Sequence, residues 1–395
     1  MARNIAPISI NERNHTIDII RGLAIFGIFL VNMPAFNSPW LYLEEGVLWT
    51  DKLDLWTENF IDIFAQASYY TLFSFLFGFG MVIFKERAIA KGASFPKLFS
   101  RRLLILLMIG VIHAFLIWHG DILISYALIG FLLFFFHRFK PLALLIWALI
   151  LIFLPNILVA GLLFFVLFLE PQDASFPFND ILVNQSLDVY SSGTFVEITV
   201  QRANDWLYVN NFDNGIFLIL SILPMFLLGA FIAKNKWFTD VEQHLQSIKR
   251  MWLISFLFAL LFKPLPYFTS DHVLTQYLQD SMGGPASAIF YATSIVLLVR
   301  HTFWKKWLFP FAAVGRLSLS NYLFQSLLAT TLFYSYGFGL YGEVRPIFGF
   351  ALTIVIYIGQ IFLSQLWLRK FNYGPVEWLW RSLTYGKIQS IKKSR

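Results

Sequence analysis

The sequence contains no cysteine. Disulfide bonds, thiolate metal sites and an acyl-cysteine mechanism are therefore excluded. Charged residues are also scarce, at 13% of the 395 residues, against about 25% in soluble domains. No P-loop, GxSxG or HExxH motif is present. Against this background, an ionisable residue inside an apolar run is a candidate for function, because charge is costly at membrane depth.

Apolar residues, by contrast, are abundant, since 58% of the chain is hydrophobic and 19% is aromatic. Soluble domains contain about 45–50% apolar residues. The apolar residues form repeated long runs, which predicts an all-α, polytopic integral membrane bundle rather than a soluble enzyme with an anchor. The first run carries Asp18 and Arg21 and lacks a cleavage pattern. We therefore expect a retained helix there, not a signal peptide.

Ten segments are candidates to cross a bilayer core, which requires roughly 20 apolar residues. The predicted spans are 17–36, 59–84, 103–118, 122–136, 141–169, 215–233, 251–268, 283–299, 318–337 and 346–368. They divide a single membrane domain, residues 1–395, into a five-helix half (1–169), a long acidic extracytoplasmic loop (170–214) and a second five-helix half (215–395). The second half ends in a predicted interfacial helix, in which Glu377 and Arg381 pair at i, i+4.

The positions of lysine and arginine predict the orientation of the bundle. Between the predicted helices nearly all of them lie on one side, and only Lys52, Arg202 and Arg345 lie on the other. Because basic residues mark cytoplasmic connections, we expect both termini in the cytoplasm. Residues 37–58, in which acids alternate with aromatics, are predicted to lie in the outer interface. The net charge of +7 is then a topology signal, and no nucleic-acid partner is expected.

The segment Gly110–Gly130 holds the densest polar cluster, and it predicts two short helices joined by a tight outward-facing turn. His113 is either a general base, since a neutral imidazole accepts a proton from a hydroxyl or amine, or a core histidine satisfied by Tyr126 or a carbonyl. Asp121 either orients an imidazole or caps the following helix. His119 and Tyr126 are candidate substrate contacts. The spacing is no zinc signature, and no metal is expected.

The first predicted helix carries polar residues at both ends. Asp18 and Arg21 share a helix face and are predicted to pair at the cytoplasmic end. The pair is either structural or an anchor for an anionic ligand, with Arg21 as a phosphate clamp. Asn32, near the outer end, either caps the helix or holds a substrate carbonyl.

A second polar stripe begins at Arg316 and continues into the predicted span 318–337. Asn321 and Gln325 are four residues apart and face one side of that helix. Such a stripe either holds neighbouring helices together or lines a tunnel for a ligand.

Taken together, these residues resemble those of the bacterial YeiB family of membrane proteins, nearly end to end. The matching residues are Asp18, Arg21, Gly22, Asn32, His113, Gly120, Asp121, Ile122, Leu123, Tyr126, Gly315, Arg316, Asn321, Tyr322, Gln325, Gly374, Pro375, Glu377, Trp378, Trp380 and Arg381. The family is grouped at a distance with the transmembrane acyltransferases, including the heparan-α-glucosaminide N-acetyltransferases. The resemblance implies an acyl-CoA donor, acetyl-CoA above all, that enters from the cytoplasm, and an acceptor on the far side.

In those relatives an asparagine ending the first helix and a histidine in the following loop serve the transfer. Asn32 matches the asparagine, whereas residues 37–58 contain no histidine. Either His113 or His119 has taken that role, or this chain performs different chemistry.

The sequence-based expectation is a membrane acyltransferase. His113, Asp121 and Asn32 are the expected catalytic residues. The expected acyl-CoA contacts are Asp18, Arg21, Arg316, Asn321 and Gln325. The expected partners are the bilayer, a sugar or lipid-linked acceptor and a second copy of the chain in a homodimer. The alternatives are a transporter or exporter that uses the same polar residues as a path, and a non-catalytic membrane scaffold or sensor.

Overall fold

A computed structural model of the chain describes residues 14–43, 48–169, 179–269 and 273–393. These residues form helices and short connections, and their only strand-like pairing is an isolated bridge between Phe371 and Lys392. The predicted all-α fold class is therefore confirmed.

The helices follow one another through the whole described chain. They are α1 (His15–Asn37), α2 (Lys52–Phe64), α3 (Ser68–Ala90), α4 (Phe95–Leu116), α5 (Leu123–Phe135), α6 (Pro141–Leu169), α7 (Asp180–Ser192), α8 (Phe195–Val209), α9 (Phe212–Lys234), α10 (Leu245–Phe262), α11 (Leu265–Phe268), α12 (Val273–Leu278), α13 (Gly284–Leu298), α14 (Thr302–Leu308), α15 (Phe311–Arg316), α16 (Ser318–Phe333), α17 (Pro346–Lys370) and α18 (Pro375–Tyr385). Short 3-10 turns follow at Trp40–Tyr42 and Phe136–Arg138, and a π-helical turn, Gln279–Gly283, joins α12 to α13.

Eight helical stretches among the described residues are long and apolar enough to cross a membrane. They are α1, α2 with α3, α4, α6, α9, α10, α12 with α13, and α17. The other two predicted spans correspond to the shorter helices α5 and α16, of 13 and 16 residues. The membrane class is confirmed with about eight candidate spans, while the count of ten and the cytoplasmic termini stay predictions.

The candidate spans differ in how much of their surface faces other helices. α1, α3 and α9 are largely buried, whereas α6 and α10 expose apolar residues around most of their circumference. On α6, for example, Leu158 and Phe168 are 65% and 74% exposed. An apolar surface of this kind is stable only in contact with lipid or another apolar partner. We therefore place α1, α3 and α9 at the centre of the bundle, with α6 and α10 at its periphery.

α3 and α9 cross at glycines. A Cβ atom at Gly78 would lie 1.8 Å from the carbonyl oxygen of Phe226, and one at Gly229 would lie 1.9 Å from that of Phe75. Both distances are far below van der Waals contact, so the two backbones approach as closely as they do only because these positions lack side chains.

The two ends of the bundle can be told apart by α4. It begins beside α18, where Trp380 donates its indole N–H to the carbonyl of Arg102 at 2.9 Å, and it ends at the α4–α5 turn. We call the end that carries α18 the tail end and the end that carries the α4–α5 turn the turn end.

The connections at the turn end are more ordered than the sequence suggested. In the segment 37–58, α2 already begins at Lys52, and Arg345 at the start of α17 pairs with Asp51 and Asp54 at 2.6 and 2.7 Å. The hydrogen bond from Arg345 also holds the pKa of Asp51 below its usual range. These pairs attach α2 to α17.

The segment predicted as a loop, 170–214, instead contains α7 and α8, while residues 170–178 lie outside the described residues. Thr194 and Glu197 form a capping box that starts α8. Tyr190 and Ile198 are fully buried. The capping pattern and these apolar residues outweigh the acidic composition on which the loop prediction rested.

We predict that Gly78→Ala and Gly229→Ala each destabilise the fold by about 1–3 kcal/mol, because the added methyl group overpacks the α3–α9 crossing. The measurement is the thermal unfolding midpoint of the detergent-solubilised protein. Gly161→Ala on α6 is the matched control, since a Cβ atom there meets nothing within 4 Å. Equal midpoints for Gly78→Ala and Gly161→Ala would contradict the close crossing.

Candidate functional site

His113 and Asp121 meet across the α4–α5 turn. The Nδ1 atom of His113 lies 2.8 Å from Oδ1 of Asp121, and both side chains have no exposed surface. The other carboxylate oxygen, Oδ2, accepts the backbone N–H of Ile124 at 2.8 Å. Asp121 therefore does both things that the sequence left open, since one oxygen holds the imidazole and the other caps α5.

Gly110, one helical turn before His113, makes room for this turn. A Cβ atom there would lie 2.8 Å from the backbone nitrogen of Ile124 and 3.1 Å from Oδ2 of Asp121. The absence of a side chain lets the start of α5 fold back against α4, which brings the carboxylate under the imidazole.

The second ring nitrogen of His113 contacts a serine on a distant helix. Nε2 lies 2.9 Å from the hydroxyl oxygen of Ser326 on α16, and Ser326 is fully buried. Because an ionised carboxylate only accepts hydrogen bonds, Nδ1 carries the proton and Nε2 accepts from the hydroxyl. Asp121, His113 and Ser326 form a continuous chain, the arrangement that activates a hydroxyl in serine enzymes of unrelated folds.

Ser326 was missed in the sequence. It is 213 residues from His113, and it stands among many other serines and threonines in apolar helices. No local signal marks it, apart from its position directly after Gln325 in the polar stripe of α16.

Two aromatic side chains enclose the imidazole. The ring of Tyr322 lies 5.0 Å from that of His113, and its hydroxyl donates to the carbonyl of Gly120 at 3.3 Å. The ring of Trp118 lies 6.3 Å from His113 and 5.4 Å from His119. The indole Nε1 of Trp118 is buried and has no hydrogen-bond partner among the described residues. A buried donor of this kind is a position where a ligand or water oxygen can be bound.

His119 belongs to a second network at the turn end. Its Nδ1 atom lies 3.5 Å from Asp205 on α8 and 3.4 Å from the hydroxyl of Tyr190 on α7. Asp205 also accepts hydrogen bonds from Tyr42, Tyr190 and Gln201 at 2.6–2.7 Å. His119 lies in the turn itself and is buried there, at 4% exposed. The sequence did not identify Asp205, since it lies in the segment predicted as a loop.

A narrow cleft, with no room for a water molecule as it stands, lies against this network. The polar side chains that line it are Ser38, Tyr42, His119, Ser186, Asp205 and Tyr341. The ring of Trp118 lies near the rings of both histidines, and of these two residues His119 is the one that lines the cleft.

Arg202, on the same helix as Asp205, is fully buried. Its Nη1 atom donates to the carbonyl of Phe115 at 3.4 Å, while its Nε and Nη2 have no partner among the described residues. The rings of Phe195, Tyr334 and Tyr336 lie within 5.3–5.7 Å of its guanidinium. The charge is stabilised mainly by aromatic faces, and the sequence had marked this residue only as an outward-facing cation.

Two predicted site residues do not reach His113. Tyr126 donates its hydroxyl to the carbonyl of Tyr70 at 2.6 Å and accepts from Ser74, so it ties α5 to α3. Asn32 is half-buried on α1, and it contributes no hydrogen bond to either ring nitrogen of His113. The partners of the imidazole are Asp121 and Ser326 instead.

The amides of Asn321 and Gln325 face α17. Gln325 donates to Oε1 of Gln360 at 2.8 Å, and Asn321 donates to the hydroxyl of Ser364 at 3.1 Å. Both residues are buried. Of the two alternatives for this stripe, the contacts favour a link between helices over a wall that contacts acyl-CoA.

Basic residues gather at the tail end. Arg21 pairs with the buried Asp18 at 3.5 Å, as the spacing predicted. Arg102 lies in electrostatic range of Arg21 and Arg381, and its guanidinium stacks 3.7 Å above the ring of Trp380.

Arg316 joins the same region through α15. A Cβ atom at Gly315 would lie 1.9 Å from the carbonyl oxygen of Asp18, so α15 ends against the start of α1. Four arginines from α1, α4, α15 and α18 thus lie near the tail end, where they can attract an anion.

Glu377 departs from its predicted pairing with Arg381. Its carboxylate accepts the backbone N–H groups of Leu319 and Ser320 at 2.7 and 3.0 Å and the hydroxyl of Ser320, so it caps α16. Arg381 instead lies over the ring of Tyr373. Burial raises the pKa of Glu377 above its usual value of 4.5, against the lowering effect of these hydrogen bonds. The tertiary cap prevails because the N-terminus of α16 presents several donors at once.

We predict that Glu377→Ala destabilises the fold by about 1–3 kcal/mol, since donors at the start of α16 lose their acceptor. Glu377→Gln, which keeps one acceptor oxygen, should cost less. Because the raised pKa makes the folded protein bind this proton more tightly than the unfolded chain, wild-type stability should rise as the pH falls from 7 towards 4.5. Thermal midpoints measured across this range test the sign. The same rise in Glu377→Gln would contradict the assignment.

Comparison with known proteins places the chain in a family. A model described as "Protein of unknown function (DUF418)" matches residues 232–387, which include Ser326 and Glu377. The chain is 39% identical to "Uncharacterized protein YxaH" of Bacillus subtilis (strain 168), over 99% of this chain and 98% of that protein. It is 29% identical to "Uncharacterized protein YeiB" of Escherichia coli (strain K12), over 94% and 96% of the two chains. No solved structure matches it. With the resemblance seen in the sequence, these matches establish that the chain belongs to the YeiB family of DUF418-containing membrane proteins.

Proposed function

We propose that this protein is an acyltransferase of the bacterial cytoplasmic membrane that moves an acyl group from cytoplasmic acyl-CoA to an extracytoplasmic or membrane-embedded acceptor. The observation that carries the proposal is the buried chain from Asp121 through His113 to the hydroxyl of Ser326. In this proposal the tail end is cytoplasmic and the turn end faces outward, as the distribution of basic residues predicts.

The three hydrogen-bonded side chains of Asp121, His113 and Ser326 suit acyl transfer. Nε2 of His113 points at a hydroxyl at 2.9 Å, within the range for proton transfer. When Nε2 takes a proton, the carboxylate of Asp121 stabilises the imidazolium and keeps the ring in place. The burial of all three side chains excludes water, which would otherwise compete with the acceptor for the acyl group.

The arginines at the tail end are the proposed site for the phosphates of acyl-CoA. Arg102 and His113 are eleven residues apart on α4, which corresponds to roughly 16 Å of helix. A donor held at Arg21, Arg102 and Arg381 must therefore extend its acyl group over that distance, which suits a ligand with a long, narrow arm. Arg316 extends the same basic region.

The turn end offers the groups for the acceptor side. In this proposal the narrow cleft lined by Asp205, His119 and Tyr42 widens to admit a polar acceptor, which its hydroxyl and carboxylate groups then bind. Trp118, whose indole N–H has no acceptor among the described residues, is the proposed support for the developing oxyanion. Asn32, which the sequence predicts to hold a substrate carbonyl, is a second candidate for this role.

One observation favours a transporter as the second candidate. The π-helical turn Gln279–Gly283 interrupts a candidate span, and it contains the half-buried Asp280, whose buried Oδ1 has no partner among the described residues. Nearby, the buried Lys263 donates to the carbonyls of Asp62 and Gln66 at the break between α2 and α3. Interrupted helices with buried charge are typical of substrate paths in transporters. Counterflow of substrate in liposomes, without release of CoA, would support this alternative.

We predict that His113→Gln lowers the rate of CoA release from acetyl-CoA by about 10²–10⁴-fold, because the general base is lost. Asp121→Asn should lower it by about 10⁴-fold, because the amide favours the wrong tautomer of the imidazole. The released thiol can be measured with a thiol reagent and no background, since the protein has no cysteine.

His301→Ala is the control for these variants, because His301 is exposed and remote in sequence from the site. It should release CoA at the wild-type rate. If the folded wild-type protein neither binds nor consumes any acyl-CoA, the proposed donor is wrong.

A further inference from the structure

The hydroxyl group of Ser326 is hydrogen-bonded to Nε2 of His113. Ser326 lies between the tail end and the turn end of the molecule. We infer that Ser326 is the nucleophile of the reaction and carries the acyl group as an ester between two half-reactions. This inference rests on the proposed acyl transfer but goes beyond it, because it assigns a covalent intermediate and a two-step order.

The hydrogen bonds of other buried hydroxyls show how unusual Ser326 is. In a membrane helix, serine and threonine normally donate back to the carbonyl four residues earlier. Thr71, Thr293 and Thr353 do so at 2.7–2.9 Å. For Ser326 that carbonyl is 3.4 Å away, whereas Nε2 of His113 is at 2.9 Å. The hydroxyl proton is directed at the base rather than at its own helix.

The cap on α5 uses only Oδ2 of Asp121, and a purely structural contact between His113 and Ser326 would not need Oδ1 of a charged carboxylate on the imidazole. A neutral histidine links two helices without a buried charge behind it, and burial of a carboxylate costs several kcal/mol unless it is well paired. α16 is moreover already joined to α17 through Gln325 and to α18 through the cap at Ser320. The carboxylate of Asp121 has a clear use when His113 becomes positively charged, which happens only if it takes a proton.

The position of Ser326 fits an intermediate that passes from one side to the other. It is eight residues from the start of α16, roughly 12 Å from the tail end of that helix. Towards the turn end, the ring of Trp118 lies 6.3 Å from that of His113 and 5.4 Å from that of His119, which lines the cleft. An acyl-serine lets the donor leave before the acceptor arrives, so the two substrates never need to occupy the buried centre together.

The bonds and protons are accounted for in both half-reactions. In the first, Oγ of Ser326 attacks the carbonyl carbon of a thioester, the C–O bond forms and the C–S bond breaks. The hydroxyl proton moves to Nε2 of His113 and from there to the leaving sulfur. In the second, a hydroxyl or amine of the acceptor attacks the ester carbonyl and gives its proton to Nε2. The bond to Oγ then breaks, and Oγ takes that proton.

The test uses the purified full-length protein in detergent, with acetyl-CoA and, separately, a fluorophosphonate that labels activated serines. We expect a mass increase of one acetyl group that maps to Ser326, and a burst of about one CoA per protein. The fluorophosphonate should label Ser326, and His113→Gln should slow this labelling by about 10³-fold. Ser326→Ala should remove both modifications.

Two further variants separate chemistry from folding. Ser255→Ala is the matched control, since Ser255 is a buried serine of α10 that donates to the carbonyl of Trp252. It should label like the wild type. Ser326→Cys introduces the only thiol of the chain. Its alkylation rate should follow a pH profile that shifts when His113→Gln is added, which a structural contact alone would not produce.

The outcomes distinguish this inference from the proposed function. If folded Ser326→Ala still releases CoA at the wild-type rate, the proposed acyltransferase function is retained, but Ser326 is not the nucleophile. If the fluorophosphonate labels Ser326 but no acyl-CoA is consumed, Ser326 is an activated nucleophile and acyl-CoA is not the donor. Failure of both reagents to modify Ser326 in folded protein overturns the inference.

Discussion

The hydrogen bond between Asp121 and His113 is the interaction on which the site depends. A carboxylate in an apolar bundle is stable only if its oxygens are satisfied. Here one oxygen is bound by the imidazole at 2.8 Å and the other by the N–H of Ile124 at the start of α5. The bond thus fixes the turn, the tautomer of the ring and the direction of Nε2 at once. It is possible only because Gly110 leaves room for the turn to fold back.

The same rule explains where buried charges are found elsewhere in the bundle. Glu377 caps the N-terminus of α16, and Lys263 binds carbonyls at the break after α2. In each case the charge is placed at the end of a helix, where the backbone offers unpaired partners. At the turn end, Arg202 and Trp118 keep buried donors without an acceptor among the described residues. Donors of this kind can bind the oxygen of a substrate.

The sequence predicted the features that depend on local spacing. The apolar runs revealed the membrane class, and the short separation of His113 and Asp121, with seven residues between them, made their meeting across a turn one of the two alternatives for Asp121. Ser326 and Asp205 could not be predicted, because each reaches its histidine from a distant helix and belongs to a common residue type in an unmarked position. For Glu377 the local spacing gave a wrong prediction. The i, i+4 spacing predicted an ion pair with Arg381, but the carboxylate instead accepts hydrogen bonds from the start of α16.

Complete burial of His113 and Ser326 has a consequence for how the molecule works. Neither side chain has any exposed surface, so a substrate reaches them only if the packing around Trp118 and Tyr322 opens. Simultaneous opening at both ends would create a water path and expose the acyl group to hydrolysis. A site that opens to one end at a time avoids this loss, but it must then hold the acyl group while it is closed. A serine that is already hydrogen-bonded to an oriented base provides that covalent hold. The closed centre and the proposed acyl-serine are therefore two aspects of one physical requirement.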